Sequence, residues 1–259
     1  MYKIVISNEK GGVAKTTTTV SLGATLAEAG NKVLLIDLDA QANLSLSLGV
    51  EKDQVKAPVS KALLDSTPLS AIIQPTGIPN LSLVPSCQEM GLAERFLSIQ
   101  HEYEFALSRL IKQVDIHYDY VLMDCPPFLG AVTLNALVAA NLLLIPTQSE
   151  YFSIYALRNL MNWVRKIRLQ YNPGLVYRLL LTMFDRRNRT HRLLAEQLRT
   201  SFSGGVLETY IETDTKLRES PIAGVPINVY APKTRSSMQY RFLAQEIIAY
   251  VQETTVQPA

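Results

Sequence analysis

A glycine-rich loop with two lysines, EKGGVAKTT at residues 9–17, constrains the fold of this chain more than any other segment. It follows an apolar stretch, residues 2–7, that predicts a strand, and it precedes a stretch from Thr17 to Ala29 that predicts a helix ended by Gly30. A loop at such a strand-to-helix turn presents unpaired N–H groups and the positive end of a helix dipole to an anion. The segment therefore predicts a phosphate-binding P-loop.

Individual residues of this loop have distinct expected roles. Gly11 and Gly12 let the backbone approach phosphates and take up unusual dihedral angles. Lys15 supplies a positive charge for the β- and γ-phosphates, and the hydroxyl of Thr16 would lie at a Mg²⁺ ion. The strict pattern GxxxxGK[ST] is not met, because its spacing is longer and its last glycine is replaced by Ala14. A plain Gly-Gly turn is the alternative, so the assignment depends on the motifs that follow.

Two acidic motifs follow in the order that a nucleotide site requires. The stretch KVLLIDLDAQ, residues 32–41, is an apolar strand that ends in Asp37 and Asp39, and YVLMDCPP, residues 120–127, is another that ends in Asp124. Ligands gather at the carboxyl ends of buried parallel strands. A carboxylate at such a position is costly unless it is paired or lies near a metal. Mg²⁺ held by Thr16 and nucleotide phosphates, with Asp124 orienting a coordinated water, would satisfy it.

With these motifs the chain resembles the ParA/MinD class of deviant Walker ATPases, and most closely the short ParA proteins that position DNA or other cargo. The resemblance rests on residues 9–49, 118–137 and 212–248, together with the linking patterns IPTQSEYFSIYAL and LLTMFD. It implies ATP and Mg²⁺ as cofactors. The residues it implies for nucleotide contact are Lys10, Gly11, Gly12, Val13, Ala14, Lys15, Thr16, Thr17 and Met183.

The resemblance also assigns catalytic roles. Lys10 matches the signature lysine of the class, which reaches the partner's phosphates across a nucleotide-sandwich homodimer, so the active site would be shared between subunits. Lys15 would bind phosphate. Asp39 would position or activate the attacking water, while Asp37 would lie beside the Mg²⁺ ion that Thr16 and Asp124 help to hold. Such carboxylates respond to the γ-phosphate and link nucleotide state to dimer shape.

Some positions depart from the family pattern. Ala40 and Ala42 stand where the stretch DxDPQGN has proline and glycine, which would stiffen or reshape that loop. The segment 212–214, Glu-Thr-Asp, replaces a Pro-Arg-Asn sequence near the expected position of the base. The contacts to the base therefore stay open, and ATP is inferred from the family.

The alternation of elements predicts one α/β domain over residues 1–259, with a doubly wound, mostly parallel sheet flanked by helices. Its length and 47% hydrophobic content suffice for one large core. The predicted strands are residues 3–7, 33–36, 81–84, 120–123, 142–146 and 178–182. Nothing before the first strand resembles a signal peptide or a helix-turn-helix extension, and no apolar run approaches the about 20 residues of a membrane span. We therefore expect a cytoplasmic protein.

Charge is divided unevenly along the chain. Residues 1–150 carry a net charge of −5 and residues 151–259 carry +7. The basic half contains three clusters that would neutralise phosphates without reading base sequence. A solvated surface is the alternative. Because ParA proteins bind the nucleoid as ATP-bound dimers, the resemblance favours non-specific DNA binding. The predicted DNA-binding residues are Arg187, Arg189, Arg192, Lys216, Arg218, Lys233 and Arg235.

Three other functions compete with this one. A MinD-like membrane-surface ATPase would need a basic amphipathic helix at its C-terminus, but the tail after the helix predicted at residues 237–251 has no lysine, and the apolar stripe of that helix fits core packing better. A metabolic ATP-dependent amidoligase would need a further substrate motif. An iron–sulfur protein would use Cys87 and Cys125, whose neighbourhoods lack the glycines that let thiolates crowd a cluster.

The sequence therefore predicts a Mg²⁺-dependent ATPase that dimerises with ATP, binds DNA non-specifically and associates with the nucleoid. A ParB-like or other small adaptor would stimulate hydrolysis and release it. The cargo stays open among a plasmid, a chromosomal origin and a protein organelle such as the carboxysome.

Overall fold

The computed structural model describes residues 1–51, 53, 55–114 and 117–256. Its strands are β1 Tyr2–Ile6, β2 Val33–Asp37, β3 Gln74–Pro75, β4 Leu81–Val84, β5 Tyr120–Asp124, β6 Leu142–Gln148, β7 Val176–Phe184 and β8 Val206–Glu212. Its helices are α1 Lys15–Glu28, α2 Asn43–Leu46, α3 Val59–Asp65, α4 Met90–Phe96, α5 Ala106–Lys112, α6 Ala131–Ala139, α7 Tyr151–Gln170, α8 Arg189–Ser201, α9 Lys216–Glu219, α10 Ile227–Tyr230 and α11 Arg235–Val256.

The strands form one sheet in the order β3-β4-β2-β5-β1-β6-β7-β8. Every pairing is parallel except that of β3 with β4. The predicted fold class, a doubly wound and mostly parallel sheet, is thus confirmed. All parallel strands end at the same edge of the sheet, and this edge receives the loop after β1 and the acidic ends of β2 and β5.

The central strands are buried on both faces, as their continuous apolar sequences require. Along β2, Leu34 and Ile36 join the core under α3 to α8, whereas Val33 and Leu35 join the core under α1 and α11. Helix α1 lies very close to β2, because a Cβ on Gly23 would come within 2.6 Å of Leu35. This close approach fixes the loop before α1 against the sheet.

Strand β8 was not predicted from the sequence, and it forms an edge of the sheet. Helix α11 covers its open side: the carboxylate of Glu246 accepts hydrogen bonds from the backbone N–H groups of Glu208 and Thr209, at 2.8 and 3.0 Å. The amide oxygen of Gln239 accepts one from the N–H of Glu212 at 3.0 Å. These side chains satisfy groups that would otherwise template pairing with another chain.

The C-terminal helix is longer than predicted, and its buried face differs from the predicted stripe. Leu243 and Ile247 are fully buried, but Met238 and Phe242 are 49% and 54% exposed. The helix buries Tyr240 in their place, whose hydroxyl lies 3.3 Å from that of Thr18 in α1. Within the described residues, no helix combines the length and the apolar character needed to cross a membrane.

Candidate nucleotide site

The loop between β1 and α1 has the conformation of an anion-binding turn. Gly12 and Ala14 both adopt left-handed dihedrals, with φ of 73° and 67°, and α1 begins immediately afterwards at Lys15. An alanine in this conformation is strained, so the surrounding contacts must hold it. The Thr182 hydroxyl donates to the Val13 carbonyl at 3.1 Å, and the Asn8 side chain accepts from the N–H of Lys10 at 3.0 Å. The strand-loop-helix context expected of a P-loop is therefore present.

Lys15 lies inside this loop. It is 8% exposed, and its ammonium donates to the Lys10 carbonyl at 3.1 Å. Burial lowers its pKa, while the nearby Asp124 and Asp39 act in the opposite direction. Among the described residues, the Lys10 carbonyl is the hydrogen-bond partner of this buried ammonium, and an anion would stabilise the charge further, so Lys15 is placed to bind phosphate.

Two buried carboxylates lie side by side at the ends of neighbouring strands close to this loop. Asp37 and Asp124 are register partners at the ends of β2 and β5, exposed by 0% and 1%. Burial raises the pKa of Asp124 to about 7, an effect that the charge of Asp37 increases. The hydroxyls of Thr16 and Thr19 donate to the two Asp124 oxygens at 2.6 and 3.0 Å and partly offset this cost.

Asp37 organises the loop that carries Asp39. One of its oxygens accepts from the Ser45 N–H and hydroxyl at 2.9 and 2.7 Å, and the other accepts from the Asp39 N–H at 3.2 Å. Burial still raises the pKa of Asp37 to about 6. Asp39 itself is half-buried and accepts from the N–H of Gln41 at 2.9 Å. The first carboxylate therefore shapes this loop, and the second lies where it can meet a ligand.

The oxygens gathered here suit Mg²⁺. This ion prefers hard oxygen donors and usually takes one or two carboxylates together with substrate phosphates. Thr16 and Asp124 supply such oxygens at the mouth of the loop, with Asp37 behind them. Among the described residues, no group of three or more acidic, histidine or cysteine side chains forms a metal cage by itself. A site completed by phosphates is therefore the arrangement that these residues fit.

The side chain of Lys10 does not share the surroundings of the Lys15 side chain and is held by the end of β6 and the start of α7. Its ammonium donates to the side-chain oxygen of Gln148 at 2.7 Å, forms an ion pair with Glu150, and lies 3.4 Å from the hydroxyl of Ser153. The Gln148 amide nitrogen in turn donates to the sulfur of Met183 at 2.8 Å. The two lysines of the loop thus have separate partners, as distinct roles require.

The region expected to bind the base forms a narrow pocket. Met183 lines it with a left-handed φ of 52°, together with the segment 212–214. The two acidic side chains of that segment are already occupied. Glu212 is paired with Arg186 and Arg235, and Asp214 accepts hydrogen bonds from the N–H of Lys216 and the hydroxyl of Ser236. These carboxylates hold α9 and α11 to the end of β8.

The three basic clusters lie near the carboxyl ends of β7 and β8. Arg187, Arg189 and Arg192 follow β7, Lys216 and Arg218 belong to α9, and Lys233 and Arg235 lie at the start of α11. The clusters are partly neutralised: Arg187, Lys216 and Arg235 pair with Asp185, Glu219 and Glu212. Arg192 donates to the Arg186 carbonyl. In the described part of the chain, Arg189, Arg218 and Lys233 have no ion pair and keep their charge for another molecule.

Three residues that position the site were not identified from the sequence. Thr19 is one helical turn from Thr16, so the i, i+3 spacing in the run TTTT indicates that both face one ligand. Gln148 and Glu150 follow from the rule already applied to Asp124, because they lie at and just beyond the carboxyl end of β6.

The chain is similar to a known protein family and to several known proteins. The AAA domain family matches residues 1–177. Sporulation initiation inhibitor protein Soj from Bacillus subtilis is 39% identical over 247 residues, covering 95% of this chain and 98% of Soj. Chromosome partitioning protein ParA from Myxococcus xanthus is 37% identical over 246 residues, covering 95% and 87%. The crystal structure of cobyrinic acid a,c-diamide synthase from Mycobacterium smegmatis with bound ADP and magnesium is similar, with a TM-score of 0.86 at 30% identity, covering 97% and 96%.

Proposed function

The chain belongs to the ParA/Soj family of P-loop ATPases with an AAA domain, and we propose that it dimerises with ATP, binds DNA non-specifically and positions cargo until an adaptor stimulates hydrolysis. The observation that carries this proposal is the separation of its two loop lysines. Lys15 is buried within the loop, whereas Lys10 extends to the end of β6, where its side chain is 28% exposed. The ammonium of Lys10 can therefore reach a phosphate outside its own loop.

Each residue of the site then has a chemical task. The loop N–H groups and Lys15 bind the β- and γ-phosphates, while Thr16 and Asp124 hold Mg²⁺. When bound there, Mg²⁺ would supply positive charge to offset the charge that develops on the phosphates. Asp37 keeps the loop after β2 in place, and Asp39 orients the attacking water or accepts its proton.

The proposed sandwich homodimer depends on a contact between Lys10 and the phosphates bound by the partner subunit. The Lys10 ammonium must leave Glu150 to reach the partner's phosphates, and the negative charge of ATP across the dimer supplies a stronger partner than a half-exposed carboxylate. Gln148 contacts both Lys10 and Met183, so one side chain connects the lysine proposed to reach the partner's phosphates with the base pocket of its own subunit.

The DNA surface consists of the basic clusters around β7 and β8. Dimerisation doubles the number of phosphate contacts, which makes DNA binding depend on nucleotide state. We propose a cytoplasmic, nucleoid-associated protein whose adaptor is ParB-like or another small protein. A chromosomal origin, a plasmid and an organelle such as the carboxysome are the candidate cargoes, and the name of the Myxococcus xanthus relative favours the first.

Two other functions are alternatives to the proposed one. The name of the Mycobacterium smegmatis protein would suggest an amide-forming synthase, but the two curated relatives with higher identity carry sporulation and chromosome-partitioning names. A MinD-like membrane ATPase needs a basic lipid-binding tail, whereas the last turns of α11 carry no lysine or arginine. Both alternatives retain ATP, so the DNA surface distinguishes them from the proposed function.

The two lysines provide the test. We expect Lys15→Gln to abolish ATP binding measured by calorimetry, because the loop N–H groups alone do not offset the phosphate charge. Lys10→Ala should bind ATP as a monomer yet form no ATP-dependent dimer in sedimentation velocity. The exposed Lys61→Ala is the matched control and should behave as wild type. Normal ATP binding by Lys15→Gln would remove the P-loop assignment, and normal dimerisation by Lys10→Ala would remove the trans role.

A further inference from the structure

A groove lies at the opposite end of β7 from the nucleotide loop. It has a volume of about 510 Å³ and runs between the last turns of α7, the second residue of β7 and the end of α8. The base pocket, by contrast, meets β7 at Met183, near its carboxyl end. A molecule in this groove would therefore leave the nucleotide loop and the basic clusters near it accessible.

The floor and one wall of the groove are apolar. Val164 is buried beneath it, and the rings of Tyr177 and Phe202 pack edge to face with centroids 6.3 Å apart. Leu169, on the last turn of α7, is 80% exposed at its margin. An apolar floor beside an exposed leucine favours a protein side chain as occupant, because a phosphate backbone offers nothing apolar to bury.

The rim of the groove is positively charged. Helix α7 carries Arg158, Arg165, Lys166 and Arg168 and contains no acidic residue. Arg165 and Arg168 line the groove, and no hydrogen bond or ion pair occupies either of them within the described ranges. None of the described residues that line the groove carries a carboxylate. The two guanidinium groups three residues apart on the helix therefore repel each other and would be stabilised by carboxylates from outside.

We propose that this groove docks a partner protein through a short segment that combines acidic side chains with apolar ones. An apolar side chain of that segment packs on Phe202 and Leu169, while its carboxylates pair with Arg165 and Arg168. The Tyr177 hydroxyl, which makes no hydrogen bond to a described residue, adds a donor at the floor. This inference stands on α7, β7 and α8 and does not depend on the proposed ATPase cycle.

The test is a selection of displayed random peptides on the full-length protein, with counter-selection on the double variant Arg165→Glu/Arg168→Glu. We expect the surviving peptides to contain Asp or Glu together with leucine or aromatic residues. Their affinity, measured by fluorescence anisotropy, should fall about tenfold or more on that variant. It should also fall on Leu169→Ser, whose exposed position makes misfolding an inadequate explanation.

The matched control is Lys61→Glu/Lys112→Glu, which makes the same charge change at exposed lysines of α3 and α5. It should leave peptide affinity unchanged. Enrichment of neutral or basic peptides, or equal loss on the control, would overturn the proposal. So would a groove variant that keeps its peptides but loses duplex DNA, because the groove would then be a phosphate surface. Circular dichroism and ATP binding of each variant verify that it is folded.

Discussion

The ammonium of Lys10 is ion-paired with the carboxylate of Glu150, 140 residues away in the chain. The same ammonium is the group proposed to bind the partner's phosphates, so the monomer holds it in a competing contact. Gln148 and Ser153 complete the arrangement. In the proposed dimer, each subunit would have to break this partly exposed ion pair.

Removing that competitor should favour the dimer. A partly exposed ion pair contributes about 0.5–1 kcal/mol and a symmetric dimer breaks two of them, so we expect Glu150→Ala to tighten ATP-dependent dimerisation about five- to thirtyfold. Sedimentation velocity over a concentration series measures this. Glu102→Ala, which breaks the surface pair with Arg109, is the control and should have no effect. Weaker dimerisation by Glu150→Ala would mean that this carboxylate contacts the partner instead.

The assignment of Asp39 predicts a trapped dimer. Asp39→Ala removes the group proposed to position water but leaves Lys15, Thr16 and Asp124 in place. Hydrolysis should fall about 10²–10⁴-fold while ATP binding persists. Phosphate release and sedimentation with ATP measure the two quantities, and Asp65→Ala on the exposed end of α3 is the control. Wild-type turnover would place the role elsewhere, with Asp37 as the next candidate.

The buried carboxylates make stability depend on pH. Burial raises the pKa of Asp124 to about 7 and that of Asp37 to about 6, from 3.8 in the unfolded chain. At pH values between those of the unfolded and folded carboxyls, the folded state binds more protons than the unfolded state. The free energy of unfolding therefore falls as pH rises from about 4 to 7. In buffer with a chelator and no nucleotide, thermal or urea unfolding should show this loss.

Asp124→Asn isolates the contribution of one carboxylate. In this variant, the fall in the free energy of unfolding between about pH 4 and 7 should be smaller than in wild type by on the order of 2–4 kcal/mol. The exposed Asp65→Asn should keep the wild-type slope. An unchanged slope in Asp124→Asn would show that this carboxyl titrates normally in the folded protein.

The basic surface predicts unequal contributions from neighbouring residues. Lys216 is paired with Glu219, whereas Arg218 on the same short helix has no ion pair in the described structure. Arg218→Ala should therefore weaken binding to every duplex sequence and reduce the slope of log K against log salt by about 0.9 for each subunit of the dimer, and Lys216→Ala should do less. Equal effects, or effects limited to certain sequences, would contradict non-specific phosphate binding by these residues.

The sequence was most informative where a buried apolar strand ends in a polar or glycine-rich segment. The P-loop, Asp37 and Asp124 follow from apolar runs that end in charged or glycine-rich segments, and the structure brings them to one edge of the sheet. Strand β8 was not predicted, because an edge strand tolerates charged residues such as Glu208 and Glu212, and these obscure the apolar pattern. The Lys10–Glu150 contact was not predictable, because pairing across 140 residues depends on the order of the strands. That Arg165 and Arg168 have no ion pair with a described residue was likewise not predictable, because it depends on which elements surround the last turns of α7.

In the proposed function, nucleotide state controls DNA binding through the dimer. The most direct measurement is the fluorescence anisotropy of an arbitrary labelled duplex with wild type and Lys10→Ala, each in ATP and in ADP, over a salt series. We predict binding by wild type in ATP that weakens steeply with salt, and little binding by wild type in ADP or by Lys10→Ala in either nucleotide. Equal binding in ADP, or sedimentation of the ATP form with anionic liposomes but no binding to DNA, would contradict the account.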